Sequence, residues 1–193
     1  MNRTGRITRK TNETNITVEL TIDGTKEIKI DTGIGFLDHM LTLFAFQAGF
    51  DLTVKAEGDL YIDDHHTTED IGISLGQAFN QAMEEKLGIN RYGVAYLPMD
   101  EALSRVVIDI SNRPYLVYNV FLEREKLGQL NTQNVKEFFK AFVQESRINL
   151  HIENLYGEND HHKVESIFKA FGRALKDACK IVSNEVPSTK GVL

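Results

Sequence analysis

His65-His-Thr-Thr-Glu-Asp70 is a short motif that recurs in the second half of the chain as His161-His-Lys-Val-Glu-Ser166. An acidic, turn-like segment precedes each copy, and apolar residues with the period of a helix follow it. The motif therefore predicts the first turns of two long helices, with Asp64 and Asp160 as their N-caps.

Each copy places metal-ligand side chains on the surface of its helix. Residues four apart share a helix face, so the first histidine of each motif can act together with the glutamate. The second histidine lies about 100° further round the helix and can serve another ion. One copy alone could be a pair of surface histidines, but the two copies hold four of the six histidines in the chain, which favours metal binding. The ligands expected from the motifs are His65, His66, Glu69, His161, His162 and Glu165.

Outside the motifs, the two halves of the chain have the same order of elements. Alternating apolar residues predict strands within residues 3–31, 52–55, 60–62, 103–111, 115–123 and 148–152. Helical periods predict helices at residues 36–46, 64–88, 133–146 and 160–183. Matching positions such as Glu13 and Glu101 indicate a duplicated unit, residues 1–90 and 91–193, within one compact domain. The expected fold is α+β, with helices packed between two sheets.

Composition excludes several classes of protein. The 193 residues are 41% hydrophobic and 26% charged, which is typical of a globular protein. A formal charge of −6 without any basic run argues against nucleic acid as a partner. No apolar stretch approaches the roughly 20 residues that span a bilayer, and the N-terminus does not resemble a signal peptide. The single Cys179 excludes an internal disulfide, predicts a buried packing role and fits the reducing cytoplasm.

Two further residues extend the ligand set. His39 lies in the first turn of a predicted helix, where a lone histidine is more often structural than a ligand, and Glu137 lies in another helix. If both bind metal, the chain offers eight nitrogen and oxygen ligands and no thiolate. Eight ligands are more than one tetrahedral zinc ion can bind, and they suit two six-coordinate ions. The octahedral geometry of such ions favours Mn²⁺ over Fe, Zn or Ni. The sequence leaves open whether the two motifs meet inside one subunit or across a subunit contact.

Several ordered motifs resemble those of the imidazoleglycerol-phosphate dehydratase family of histidine biosynthesis, over residues 3–193. They are Gly35-Phe-Leu-Asp-His-Met40, the two histidine motifs, Phe168-Lys-Ala170 and Pro187-Ser-Thr-Lys-Gly191. The resemblance implies a cytoplasmic lyase that removes water from imidazole glycerol phosphate to give imidazole acetol phosphate. It implies manganese, two ions per active site, and a duplicated fold like domain 2 of ribosomal protein S5. It also implies a 24-subunit homo-oligomer with active sites at subunit contacts.

The resemblance also assigns roles to residues. Metal ligands would be His39, His65, His66, Glu69, His161, His162 and Glu165, with Glu137 standing where many relatives have a histidine. Substrate contacts would come from Glu13, His39, Gln47, His65, His66, Glu69, Arg91, Arg113, Ser188 and Lys190. Gln47 departs from a histidine that relatives often carry. Arginine and lysine suit the dianionic phosphate, and Ser188 and Lys190 match a phosphate-binding tail.

The expected chemistry needs a stabilised negative charge, because the hydrogen leaves a carbon that has no carbonyl beside it. Two metals, each bound to one ring nitrogen, would hold the imidazole as imidazolate and let it expel the side-chain hydroxyl through a diazafulvene-like intermediate. Glu13 is the expected general base, because it is acidic and not committed to metal. The remaining catalytic residues are expected to be His65, Glu69, His161 and Glu165.

Two other functions use the same ligand types. A two-metal hydrolase of a phosphorylated small molecule would aim a metal-activated water at phosphorus or a carbonyl. A non-enzymatic metal-binding shell protein would have no need for Arg91, Arg113 and Lys190, and these residues argue against it.

Overall fold

The computed structural model describes residues 3–193. The first half contains β1 (Thr4–Lys10), β2 (Thr14–Thr21), β3 (Ile28–Asp31), α1 (Gly35–Ala48), β4 (Asp51–Gly58) and α2 (His65–Ala82). The second half contains β5 (Tyr92–Met99), β6 (Ala102–Asp109), β7 (Tyr115–Asn119), the hairpin β8 (Lys126–Leu127) and β9 (Leu130–Asn131), α3 (Thr132–Ser146), β10 (Asn149–Tyr156) and α4 (Asp160–Cys179).

Two four-stranded sheets share one topology. Their strand orders are β1-β2-β4-β3 and β5-β6-β10-β7, and in each sheet only the last pair is parallel. Buried apolar residues alternate with more exposed residues along the strands. In β2, for example, Ile16, Val18 and Leu20 are buried while the residues between them are not. The predicted internally duplicated α+β fold is confirmed. The division at residue 90 stays a prediction.

The helices form two layers between the sheets. Helices α1 and α2 lie on the first sheet, α3 and α4 lie on the second, and across the layers α2 packs on α3 and α1 packs on α4. Both apolar sheet faces and the apolar helix faces thereby enter one core. Without the other half, each half would leave the apolar outer faces of its helices exposed to water.

All four helices begin at the same edge of this sandwich. His65 and Asn134 are in contact at the starts of α2 and α3, and Phe36 contacts His161 at the starts of α1 and α4. Phe138 contacts Phe168, and further along Phe142 contacts Phe171, so α3 and α4 run in the same direction. We call this edge, where both histidine motifs lie, the histidine edge.

Glycine allows the close approach of α4 to α1. A Cβ atom on Gly172 would lie 2.3 Å from the carbonyl oxygen of Phe44, which is backbone and cannot rotate away. We therefore expect Gly172→Ala to lower the free energy of unfolding by about 1–3 kcal/mol, as overpacking does elsewhere. Chemical denaturation measures this change. Gly35→Ala is the control, because among residues 3–193 its Cβ would meet nothing within 4 Å. Equal losses for both variants would contradict the explanation.

Several local predictions were wrong. Residues 60–62 form a turn instead of the predicted strand. The Ile62 N–H donates to the Asp59 carbonyl and closes this turn. The first-motif helix ends at Ala82 and the second at Cys179, earlier than the period indicated, and β7 ends at Asn119. Asn159, not Asp160, caps α4, because its side chain accepts from the His161 N–H at 2.9 Å.

The side chains of the two predicted caps are used elsewhere. Asp64 occupies the N-cap position of α2, but its carboxylate accepts from the Asn131 N–H and the Asn134 amide and makes no capping hydrogen bond. Asp160 accepts from the backbone of residues 123 and 124. Both carboxylates therefore tie the hairpin region before α3 to the histidine edge.

Cys179 is buried, as predicted, and burial raises the pKa of its thiol to about 12. Within residues 3–193, no helix has the length and apolar character needed to cross a bilayer.

Candidate functional site

His39, His161 and Glu165 form a potential metal-binding group where α1 meets α4. The Nε2 atoms of His39 and His161 lie 3.4 Å and 3.2 Å from Oε2 of Glu165, and one ligand atom from each residue lies within 4.8 Å of the others. Among the described residues, 3–193, this is the one group of three such side chains. The two halves of the chain thus meet here, since His39 comes from the first and the other two from the second.

Glu165 is ionised in this group. Burial opposes its charge, but a hydrogen bond and the charge of Lys169, with contacts from His161 and His39, hold its pKa below the usual value. A buried, ionised carboxylate beside two imidazoles is a suitable donor set for a divalent transition metal.

The first motif forms a second, smaller cluster at the same edge. His65 Nε2 lies 3.8 Å from Oε2 of Glu69, while its Nδ1 is 3.0 Å from Oδ1 of Asn134 on α3. Within residues 3–193 this pair gains no third ligand of the kind found around Glu165. The two motifs therefore do not combine into one cluster inside a protomer.

The second histidine of the first motif faces two carboxylates. His66 Nδ1 lies 3.0 Å from Oδ2 of Asp59, and its Nε2 lies 3.9 Å from Oε1 of Glu13. The hydrogen bond to Asp59 raises the pKa of His66. Glu13 is about half exposed, with 53% of its side chain accessible, and its carboxylate faces Nε2 of His66, the nitrogen that Asp59 does not contact.

The second histidine of the second motif has an equivalent environment made from other residues. His162 Nδ1 lies 2.7 Å from Oε2 of Glu101, and its Nε2 lies 3.9 Å from Oδ2 of Asp100. The hydrogen bond to Glu101 raises the pKa of His162. Backbone N–H donors from Asn159 and Glu158, with His162, hold the pKa of Glu101 at about 2.

Sequence reasoning missed the roles of Asp59, Asn134 and Glu101. The match between Glu101 and Glu13 marked the position of Glu101 without its contact to His162. No local pattern marks Asp59 or Asn134, because their histidine partners are reached only by folding.

Two predicted residues have other partners. Glu137 Oε2 accepts from Lys140 Nζ at 2.9 Å, and Glu137 does not belong to the three-ligand group. Gln47 Oε1 accepts from Arg173 at 3.3 Å, near the end of α1. Their roles in metal and substrate binding stay predictions.

The predicted phosphate-binding residues meet in one cleft of about 560 Å³, which we call the phosphate cleft. Its lining includes Arg91, Arg113, Ser188 and Lys190. Asp109, which sequence reasoning did not identify, orients the arginines: it accepts from Arg91 Nε at 2.7 Å and lies 3.9 Å from Arg113. Arg91 also donates to the Pro187 carbonyl at 2.8 Å and so fixes the start of the tail.

The phosphate cleft and the histidine edge lie at opposite ends of α4. The Arg91 N–H donates to the carbonyl of Ala178, near the end of the helix, whereas His161 is its second residue. A helix of 20 residues is about 30 Å long. A small phosphorylated molecule cannot contact both places in one protomer.

The family model described as imidazoleglycerol-phosphate dehydratase matches residues 32–175. An imidazoleglycerol-phosphate dehydratase of Clostridioides difficile is 61% identical over 191 residues, covering 99% of this chain and all of that protein. One from Caldicellulosiruptor saccharolyticus is 58% identical and covers 99% and 98%.

Solved structures of imidazoleglycerol-phosphate dehydratases also align with this chain. The crystal structure of the Staphylococcus aureus enzyme aligns with a TM-score of 0.85 at 45% identity, covering 93% of this chain and 99% of that one. The Pyrococcus furiosus structure aligns with a TM-score of 0.84 at 44% identity, covering 97% and 100%.

Proposed function

This chain belongs to the imidazoleglycerol-phosphate dehydratase family and is a lyase of histidine biosynthesis, and we propose that its active sites form between subunits. Each site would convert imidazole glycerol phosphate to imidazole acetol phosphate and water. We further propose two Mn²⁺ ions per site, a 24-subunit homo-oligomer and a cytoplasmic location.

The observation that carries this proposal is the separation of the phosphate cleft from the histidine edge by the length of α4. The substrate carries its phosphate and its imidazole on one short carbon chain, so both must be bound close together. The phosphate cleft of one subunit must then face the histidine edge of another. The same arrangement would let His65 and Glu69 of one copy meet His39, His161 and Glu165 of another.

The ligand residues fit a divalent metal on their own chemistry. Neutral imidazoles and an ionised, buried Glu165 supply nitrogen and oxygen donors without a thiolate. We assign His39, His65, His66, Glu69, His161, His162 and Glu165 as ligands and keep Glu137 as a further candidate. When bound, the ions would supply Lewis-acid charge that stabilises the negative charge developing on the substrate ring.

The chain's own residues divide the remaining work. Arg113 and Lys190 would bind the phosphate by charge-assisted hydrogen bonds, while Arg91, tied to Asp109 and Pro187, would shape the tail that carries Ser188. Glu13 would take the proton from the carbon next to the one that loses hydroxide. We also propose that Gln47 contacts the substrate.

Glu13 suits the role of base because its carboxylate is free. Among residues 3–193 its nearest cationic partner is His66, with Nε2 at 3.9 Å, whereas its sequence match Glu101 accepts from three donors. A base with a pKa near 2, as at Glu101, accepts a proton poorly at neutral pH. This difference favours Glu13 over Glu101.

The proposal is tested with purified protein, Mn²⁺ and imidazole glycerol phosphate. Formation of the ketone product, followed by its absorbance, supports dehydration. Release of inorganic phosphate would instead indicate a two-metal hydrolase. Binding of metal without turnover or phosphate binding would indicate a shell protein.

Activity and Mn²⁺ affinity should fall together as pH drops below neutrality. A ligating imidazole must be neutral, so protons compete with metal near the ordinary histidine pKa of about 6.5. Because Asp59 and Glu101 raise the pKa of His66 and His162, protonation of these two begins at higher pH, and metal is lost as pH falls through the raised values. Activity profiles at two Mn²⁺ concentrations check this. More Mn²⁺ should move the acid midpoint to lower pH, and an unmoved midpoint would contradict the competition.

A further inference from the structure

We propose that Asp59, Asn134 and Glu101 are positioning residues that hold the Nδ1 atoms of three motif histidines and so leave their Nε2 atoms to bind metal. This inference rests on the proposed metal-dependent function. It concerns residues outside the ligand set, and it deepens the proposal by stating how three of the five proposed ligand imidazoles are oriented.

At His66 and His162 the chemistry of the partner fixes the tautomer. An ionised carboxylate can only accept, so the Nδ1 atoms 3.0 Å from Asp59 and 2.7 Å from Glu101 must carry hydrogen. A neutral imidazole with hydrogen on Nδ1 has its lone pair on Nε2. Metal-binding histidines usually donate their other N–H to a carboxylate or carbonyl in this way.

At His65 a network fixes the same tautomer through an amide. Asn134 Nδ2 donates to Oδ2 of Asp64 at 2.9 Å, which orients the amide so that Oδ1 faces His65 Nδ1 at 3.0 Å. Asn134 is 1% exposed and Asp64 is 4% exposed, so neither side chain can turn to water. His65 is therefore held with Nε2 on the side of Glu69.

The two halves perform the same task with residues that do not correspond. The loop before α2 covers residues 59–64 and supplies Asp59, whereas the loop before α4 covers only residues 157–159. In the shorter loop the backbone N–H groups of Glu158 and Asn159 bind Glu101, which comes from the β5–β6 turn and reaches His162 instead. Because Asp59 serves His66, Glu13 is left free, and the duplicated glutamates have acquired different roles.

The experiment compares Mn²⁺ binding to the full chain and its variants, without substrate, by the electron paramagnetic resonance signal of free Mn²⁺. Glu101→Ala should weaken Mn²⁺ binding by about 10–100-fold, the usual effect of removing a hydrogen-bond partner of a metal ligand. Glu101→Gln keeps an acceptor oxygen for Nδ1–H and should recover most of the affinity. Glu57→Ala, which removes an exposed carboxylate on β4, is the matched control and should bind as the parent does.

Asp59→Ala and Asp59→Asn repeat the Mn²⁺-binding test in the other half. The inference can therefore still be tested if the Glu101 variants fail to fold. Each variant's melting temperature without metal shows how much of an effect is structural. Affinity within about threefold of the parent for both alanine variants overturns the inference, and so do Gln and Asn variants as weak as the alanine ones. Failure of the unmodified protein to bind Mn²⁺ would overturn the proposed function itself, which is a separate result.

Discussion

Two inactive variants, one altered at the histidine edge and the other in the phosphate cleft, should regain activity when their subunits are mixed. His161→Ala removes a member of the three-residue group, and Arg113→Ala with Lys190→Ala removes two cations that line the phosphate cleft. Each variant alone should lose at least ~10²-fold in kcat/KM, since each loses a charge-assisted contact or a metal ligand. Their hybrid contains some sites in which an intact histidine edge faces an intact phosphate cleft.

The expected recovery is large because the loss in either variant is nearly complete. If two subunits build a site, random assembly of an equal mixture makes about a quarter of the sites intact. Dissociation in a chelator, mixing and reassembly with Mn²⁺ would form the hybrids, and native mass spectrometry would verify them.

A mixture of His161→Ala and Glu165→Gln is the control for this experiment. Both changes lie on α4 at the same edge, so no hybrid of the two contains an intact second motif, and activity should stay low. Verified hybrids of the first pair that remain inactive would contradict sites shared between subunits.

Glu13→Gln should lower turnover by at least ~10²-fold while Mn²⁺ stays bound. The amide matches the carboxylate in shape but cannot take a proton. Glu13 lies on the surface at the β1–β2 turn, so the change should not disturb the core. Steady-state kinetics measure the loss, and metal analysis after gel filtration measures retention.

Glu57→Gln provides the comparison for Glu13→Gln. Glu57 is an exposed carboxylate on β4 that lies 3.6 Å from Lys55, on the face of the strand opposite the buried Ala56. It should retain parental kinetics. Near-normal turnover of Glu13→Gln would remove Glu13 from the role of base, and loss of metal along with activity would assign it to ligand support.

The sequence predicted those parts of the fold that depend on local periodicity. Alternation located β2 and β4, and the apolar periods located all four helices. The end of α2 was not visible, because Glu84, Glu85 and Lys86 are good helix formers. The chain leaves the helix there since Met83 is buried and Gly88 bonds to the segment after α4. Tertiary contacts overrode local propensity.

The candidate site was predictable as a set of residues able to bind metal, but their arrangement in space was not. The repeated motif indicated the imidazoles and carboxylates, yet the contact of His65 with Asn134 joins residues far apart in sequence. Likewise, the positions of Arg91 and His161 do not reveal that a helix separates them. Residues that accept a hydrogen bond from a motif histidine belong to no sequence motif, because any acceptor side chain that reaches the imidazole can make this contact.

The common direction of the four helices has an electrostatic consequence. Each N-terminus carries roughly half a positive charge from its aligned peptide dipoles, and all four point at the histidine edge. This potential opposes a cation, which explains why carboxylates accompany the imidazoles there. Under the proposed function it would also favour an electron-rich ring on the bound substrate. At the other end the carbonyl termini disfavour an anion, so the phosphate that we propose to bind there would depend on the guanidinium and ammonium groups of the phosphate cleft.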